Sequence, residues 1–182
     1  MNKTKRMTYI GMMITLAVVL RLMKHYIIGP IQFVNFPAVF TFLGGIALGS
    51  LPGMTIGFAS YLISDMAIGL PGPWTAINGS LMAIVGFLSG IFFRRASKIG
   101  IGVGAFLLLL CFDILSSWIL YVIIGFDWFY ALIIAIVGLF LPAGGGFLYA
   151  VGPITEAVTI LLMLGLISTI KRNGLKFDEF PF

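Results

Sequence analysis

Arg21, Asp65, Asp113 and Glu156 each fall inside or at the end of an apolar run long enough to cross a membrane. An ionised side chain at such a position costs roughly 3 kcal/mol, so a partner, a ligand or an ion pathway is its usual reason for being there. Arg21 lies in the outer third of the first run, Asp65 in the outer third of the third, and Glu156 near the outer end of the last. "Outer" here is the side opposite the basic connections described below. Asp113 is close to the middle of the fifth run, and Trp118 and Tyr121 follow it five and eight residues later, up the outer half. Arg21, Asp65, Trp118, Tyr121 and Glu156 therefore share a depth. Charged groups that orient a ligand, set among aromatic faces, are what small-molecule sites contain, and these five predict a cup opening outward. The same residues allow a plainer reading, an internal salt bridge from Arg21 to Asp65 or Glu156 that ties the bundle together.

Other chemistry finds little support. His25 is the single histidine and Cys111 the single cysteine, so no metal site and no disulfide within the chain is expected, and Cys111 reads as a buried packing thiol. There is no HExxH, GxSxG or GxxxxGK[ST], hence no zinc hydrolase, serine hydrolase or nucleotide-hydrolysing signature. Asp65 and Glu156 would serve as an acid–base pair, but no fixed spacing ties them together. A channel would repeat a polar stripe along a pore, whereas the polar groups here gather toward one end. The expectation is a binding protein, not an enzyme, with no cofactor and no catalytic residue.

The elements that must hold these residues are membrane helices. The 182 residues are 60% hydrophobic and 9% charged, against about 25% charged in a soluble domain. Apolar runs at 9–28, 38–51, 53–70, 75–93, 100–124 and 151–170 predict six spans in one transmembrane domain. The second is short, SLPG (50–53) is the tight turn after it, and FDWFYALIIAIVGLFLPAGGG reads as a loop holding a short helix over about 129–141. Residues 1–7 and 171–182 form tails. Six spans place Lys3, Lys5, Arg6, Arg94, Arg95, Lys98, Lys171, Arg172 and Lys176 on one side, nine of the eleven basic residues. By the positive-inside rule that side is cytoplasmic, and both termini lie there. The net charge of +5 thus reflects orientation, not nucleic-acid binding.

The outer connections differ in kind from the inner ones. GPIQFVNFP (29–37), GLPGPWTAING (69–79) and the 125–150 segment are rich in proline, glycine, aromatic and amide residues. Irregular backbone near membrane depth persists only where protein or a cavity covers it. Three such segments on one side favour a binding site there, adding Gln32, Asn35, Trp74 and Asn78 to the substrate-binding set. Trp74 alone would equally suit the interfacial aromatic belt, and Asp127 would be merely solvated. In the first span Gly11 and Thr15 are four residues apart on one face, a spacing that lets another helix approach closely; that helix belongs either to a partner or to the chain's own bundle.

Together these features resemble the S component, the substrate-binding membrane subunit of energy-coupling factor (ECF) transporters. The likeness covers most of 7–172: a small-residue motif in the first span, the proline-bounded GPIQFVNFP before a short second span, then LGSLPGMTIGFASYLISD and PGPWTAINGSLMAIVGFLSG in order. The resemblance implies an all-α bundle of six spans in a prokaryotic cell membrane. It implies capture of a vitamin or related small molecule from outside. It also implies assembly with a transmembrane coupling subunit and two cytoplasmic ATPases, and release inward by toppling in the bilayer. Gly11 and Thr15 occupy the places of the family's Ala-xxx-Ala coupling motif. Members that take nickel or cobalt carry a histidine next to the N-terminus, which Met1-Asn2 lacks. PGPWT looks like an element of cobalamin-linked members, while riboflavin, thiamine or a pyridoxine-type ligand would suit Trp74, Trp118, Tyr121 and Trp128. A small intramembrane enzyme or scaffolding membrane protein is the alternative.

Overall fold

The computed structural model describes residues 2–28, 33–69, 71–140 and 152–172. Among them are seven helices and no strand: α1 (Lys3–Ile28), α2 (Phe36–Leu48), α3 (Ser50–Ile68), α4 (Pro73–Phe92), α5 (Lys98–Ile124), α6 (Trp128–Gly138) and α7 (Pro153–Arg172). Five of these, α1, α3, α4, α5 and α7, are long and apolar enough to cross a membrane; α2 and α6 are shorter.

Local chemistry explains the boundaries. Asn35 caps α2 by accepting from the Ala38 N–H at 3.1 Å, with Pro37 in the first turn, so NFP is a helix start. PGPWT is another. Pro73 opens α4, and the Thr75 hydroxyl reaches back to the Gly72 N–H at 3.4 Å. Trp74 therefore stands on the first turn of a helix, not in a loop. Between α2 and α3 a single residue reverses the chain, Gly49 at φ +105°, a conformation that glycine adopts freely. The SLPG expected as the turn is the first turn of α3. Asp127, expected to be solvated, caps α6 by accepting from Phe129 N at 3.0 Å and Tyr130 N at 3.4 Å. The short helix expected inside 125–150 is α6, and it packs on α5 through Ala131, Ala135 and Leu139, spaced four apart and buried. The basic residues expected in an N-terminal tail form the first turn of α1. Cys111, expected to be a buried packing thiol, is exposed on α5.

The core is built around α2. Its residues after Phe36 are all buried, and its neighbours are α1, α3, α4 and α7. Thirteen residues rise only about 20 Å, less than the ~30 Å hydrocarbon thickness, so α2 is a buried plug inside longer helices. Its last turn is finished by α1, since Arg6 donates to the Leu48 carbonyl at 3.0 Å. Packing of α2, α3 and α4 runs along a seam of small residues. A Cβ on Gly53 would lie 2.5 Å from the Gly86 carbonyl oxygen and 2.7 Å from Gly45 Cα; one on Gly57 would lie 2.5 Å from the Met82 carbonyl oxygen. Without side chains at these places the backbones approach closely.

Gly11 and Thr15, by contrast, are exposed, with nothing within 4 Å of a Cβ at Gly11 and the Thr15 hydroxyl donating to the Gly11 carbonyl at 2.9 Å. Among the described residues, no helix of the bundle packs against this pair at Gly11. Gly53→Leu should lower the thermal unfolding midpoint sharply, an overpacking cost of about 3 kcal/mol or more. Gly11→Ala should leave the midpoint unchanged or raise it slightly. Circular dichroism melts of the two detergent-purified variants check the contrast.

Candidate functional site

Arg21 leans from α1 onto α3. Its Nη2 lies 2.7 Å from Asp65 Oδ1, its Nη1 donates to the Ser64 hydroxyl, and its guanidinium carbon stands 4.6 Å from the centroid of the Tyr61 ring. Gly57, Ser60, Tyr61, Ser64 and Asp65 are spaced three and four apart and all buried, so one face of α3 receives the cation with a carboxylate, a hydroxyl and an aromatic face. Of the two acidic partners open to Arg21, the ion pair is with Asp65.

Tyr61 carries the network onward. Asn35 Nδ2 donates to its hydroxyl at 3.0 Å, and the Asn35 backbone N–H donates to Thr159 Oγ1 at 2.9 Å. Thr159 in turn donates to the Thr155 carbonyl at 2.7 Å. One chain of contacts thus crosses from α1 through α3 and the start of α2 to α7, using each side chain's donor and acceptor capacity.

Beside this network is a cavity of about 240 Å³. Arg21 and Tyr61 form one wall, Asn78 of α4 another, and α5 supplies Asp113, Ser116 and Ser117. Phe112, Leu120 and Leu139, the last just beyond α6, complete the lining with apolar surface. The Ser116 hydroxyl is turned to its own helix, donating to the Asp113 carbonyl at 3.1 Å. Asp113 and Glu156 of α7 face each other within hydrogen-bonding reach. Glu156 is 2% exposed, and neither its Oε2 nor Asp65 Oδ2 has a hydrogen-bond partner, each a cost of about 1–3 kcal/mol. The cavity thus combines a paired cation, the Asp113 carboxyl group with Glu156 behind it, hydroxyls and an amide inside an apolar bundle.

The expected site residues divide into five groups. Arg21 and Asn78 line the cavity; Asp65, Asn35 and Glu156 stand one contact behind it, through Arg21, Tyr61 and Asp113 respectively. Trp74, Trp118 and Tyr121 do not line it. The Trp74 side chain is 49% exposed and lies over Gly72; Trp118 Nε1 donates to the Trp128 carbonyl at 2.9 Å, and Tyr121 packs edge-on against Phe126. Gln32 lies outside the described residues. Gly11 and Thr15 are on the outer surface of α1, away from the cavity.

Tyr61, Ser64, Ser116, Ser117 and Thr159 went unread in the sequence, as did the part that Asp113 plays in the lining. Helix periodicity held the signal for α5: Asp113, Ser116, Ser117 and Leu120 are i, i+3, i+4 and i+7 and so share a face. Trp118, at i+5, is turned about 140° from Asp113. Equal depth along a bundle does not imply equal direction. Among the described residues no three His, Cys, Asp or Glu side chains are grouped to hold a metal ion.

Asp65→Leu should destabilise strongly, by about 3–5 kcal/mol, because it strands a largely buried guanidinium, and Arg21→Met should likewise destabilise by leaving the Asp65 carboxylate unpaired. The Arg21→Met, Asp65→Leu double variant should regain much of that loss. Thermal unfolding of the two single variants and the double variant measures the coupling, and simple additivity would contradict a pair that depends on both members.

The chain matches no family model, no curated protein and no solved structure.

Proposed function

We propose that this chain is the substrate-binding membrane subunit, or S component, of an ECF-type importer, and that the cavity beside Arg21, Asn78 and Asp113 holds its ligand. The observation that carries the proposal is a polar cavity walled by α1, α3, α4 and α5 inside a bundle of membrane-length apolar helices. A structural protein has little reason to keep two facing carboxyl groups and unpartnered carboxylate oxygens at such a place. Supporting features are the order of elements that resembles the family and the open small-residue face of α1, which leaves Gly11 and Thr15 free for a coupling subunit.

In this reading the chain sits in a prokaryotic plasma membrane with both termini cytoplasmic, α2 counted as the short second of six spans, and α6 folded back beside α5, with Leu139 at its end completing the lining. Two ATPase subunits, reached through the coupling subunit, supply the energy, and toppling of the loaded bundle delivers the ligand inward. Ligand pockets usually measure about 300–1,000 Å³; a cavity near 240 Å³ suits a flat, one- or two-ring vitamin better than a corrinoid. A small intramembrane enzyme is the second reading, and the facing Asp113 and Glu156 carboxyl groups are the observation in its favour, as an acid–base pair.

Native mass spectrometry and absorbance of the detergent-purified protein should reveal a retained small molecule, or a thermal-shift panel of thiamine, riboflavin, pyridoxine and cobalamin should identify one. Asn78→Leu, close in volume but without the amide, should weaken that ligand at least about tenfold, the worth of one well-placed hydrogen bond, with little change in unfolding midpoint. No ligand across the panel, together with turnover of a substrate abolished by Asp113→Asn, would favour the enzyme. Gly11→Leu should bind ligand normally yet fail to co-purify with a coupling subunit.

A further inference from the structure

Separate from the polar cavity, a groove of about 560 Å³ lies between α5 and α7. It runs from Lys98, at the first turn of α5, to Leu107, with Ala157, Leu161 and Leu164 along its α7 side. Gly102 makes the notch: a Cβ there would be in ordinary contact with Leu164, 3.5 Å away, and the larger Val103 and Phe106 form its edge. Nothing in the polar network above reaches this groove. Its rim is outward-facing, with Ile99 79%, Val103 57% and Leu161 69% exposed.

We infer that this groove holds one acyl chain of an anionic phospholipid, with the lipid phosphate at Lys98. Three observations select that occupant. The groove is closed along its base because α5 and α7 pack directly on each other, and the gap between two packed helices admits a hydrocarbon chain more readily than another helix about 10 Å across. Nine residues from Lys98 to Leu107 rise about 14 Å, close to half of the ~30 Å hydrocarbon thickness, so the groove is one leaflet deep. Its only charged lining residue is a cation, and that cation sits at one end. Arg95 precedes Lys98 on the chain, and the antiparallel run of α7 brings exposed Arg172 toward the same end. The lipid phosphate would also meet the N-terminal turn of α5, where backbone N–H groups favour an anion. This proposal requires that α5 and α7 cross a membrane and is independent of what the polar cavity binds.

The test is native mass spectrometry of the full-length protein equilibrated in detergent with equimolar phosphatidylglycerol and phosphatidylcholine of identical chains. The expected result is one retained lipid, with phosphatidylglycerol favoured about fivefold, the effect of one basic side chain near an anionic headgroup. Lys98→Ala should cut the preference for phosphatidylglycerol by most of that factor, and an unchanged preference would overturn the placement of the phosphate. Val103→Trp or Leu161→Trp, each adding bulk at the exposed rim without touching the core, should expel both lipids while keeping the lipid-free unfolding midpoint. Equal retention of the two lipids by the unaltered protein would overturn the proposal. So would unchanged retention after either tryptophan substitution, or a co-purifying protein cross-linked at Val103 in place of lipid.

Discussion

A guanidinium inside an apolar bundle must be compensated where it stands, and the placement of Arg21 organises the polar half of this molecule. Its charge is met by Asp65, its second nitrogen by Ser64, and its flat face by Tyr61. None of these three can shift without exposing the cation to hydrocarbon. Tyr61 in turn positions Asn35, which does two jobs at once. Its side-chain oxygen starts α2, and its backbone N–H ties that start to Thr159 on α7. An ion pair of this kind contributes little net stability beside a well-packed apolar alternative. Its larger effect is to fix which faces of α1, α3 and α7 look toward one another, and so where the cavity opens.

The packing around the cavity is uneven, and that unevenness has a physical cause. On one side α2, α3 and α4 meet backbone to backbone through Gly45, Gly53, Gly57 and Gly86, and α1 closes over them. Close packing of this sort forms a stiff unit because there is no side chain to rearrange. On the other side α6 rests mainly on α5 through two alanines and Leu139. The cavity lies between the stiff unit and this lighter wall. A ligand that needs more room than 240 Å³ would gain it at the α5–α6 side, since the glycine seam has nowhere to go.

The charged residues were the legible part of the site. Arg21, Asp65 and Glu156 stand out in apolar runs by cost alone, and all three belong to the network around the cavity. NFP and PGPWT were visible as interruptions but misread as loops, because a proline marks a helix's first turn as readily as a break. Aromatic residues were the weakest guide. Trp118 and Tyr121 were selected by depth, and a helix that advances 1.5 Å per residue also turns about 100°, which carries Trp118 off the lining face that Ser116 and Ser117 occupy. Tyr61 had no sequence signal of its own, since its value lies in standing under a guanidinium supplied by a different helix. The six-span expectation is met in part: five helices are long and apolar enough to cross a membrane, while α2 is shorter and buried, a difference in length and surroundings that hydropathy does not report.

The most direct measurement is an experimental structure of the protein purified with its retained or identified ligand. The predicted result is non-protein density in the space bounded by Arg21, Asn78 and Asp113, within hydrogen-bonding distance of the Asn78 amide, with the Arg21–Asp65 pair intact. Ligand density elsewhere on the bundle, with the cavity holding only water, would contradict the assignment of this cavity as the binding site.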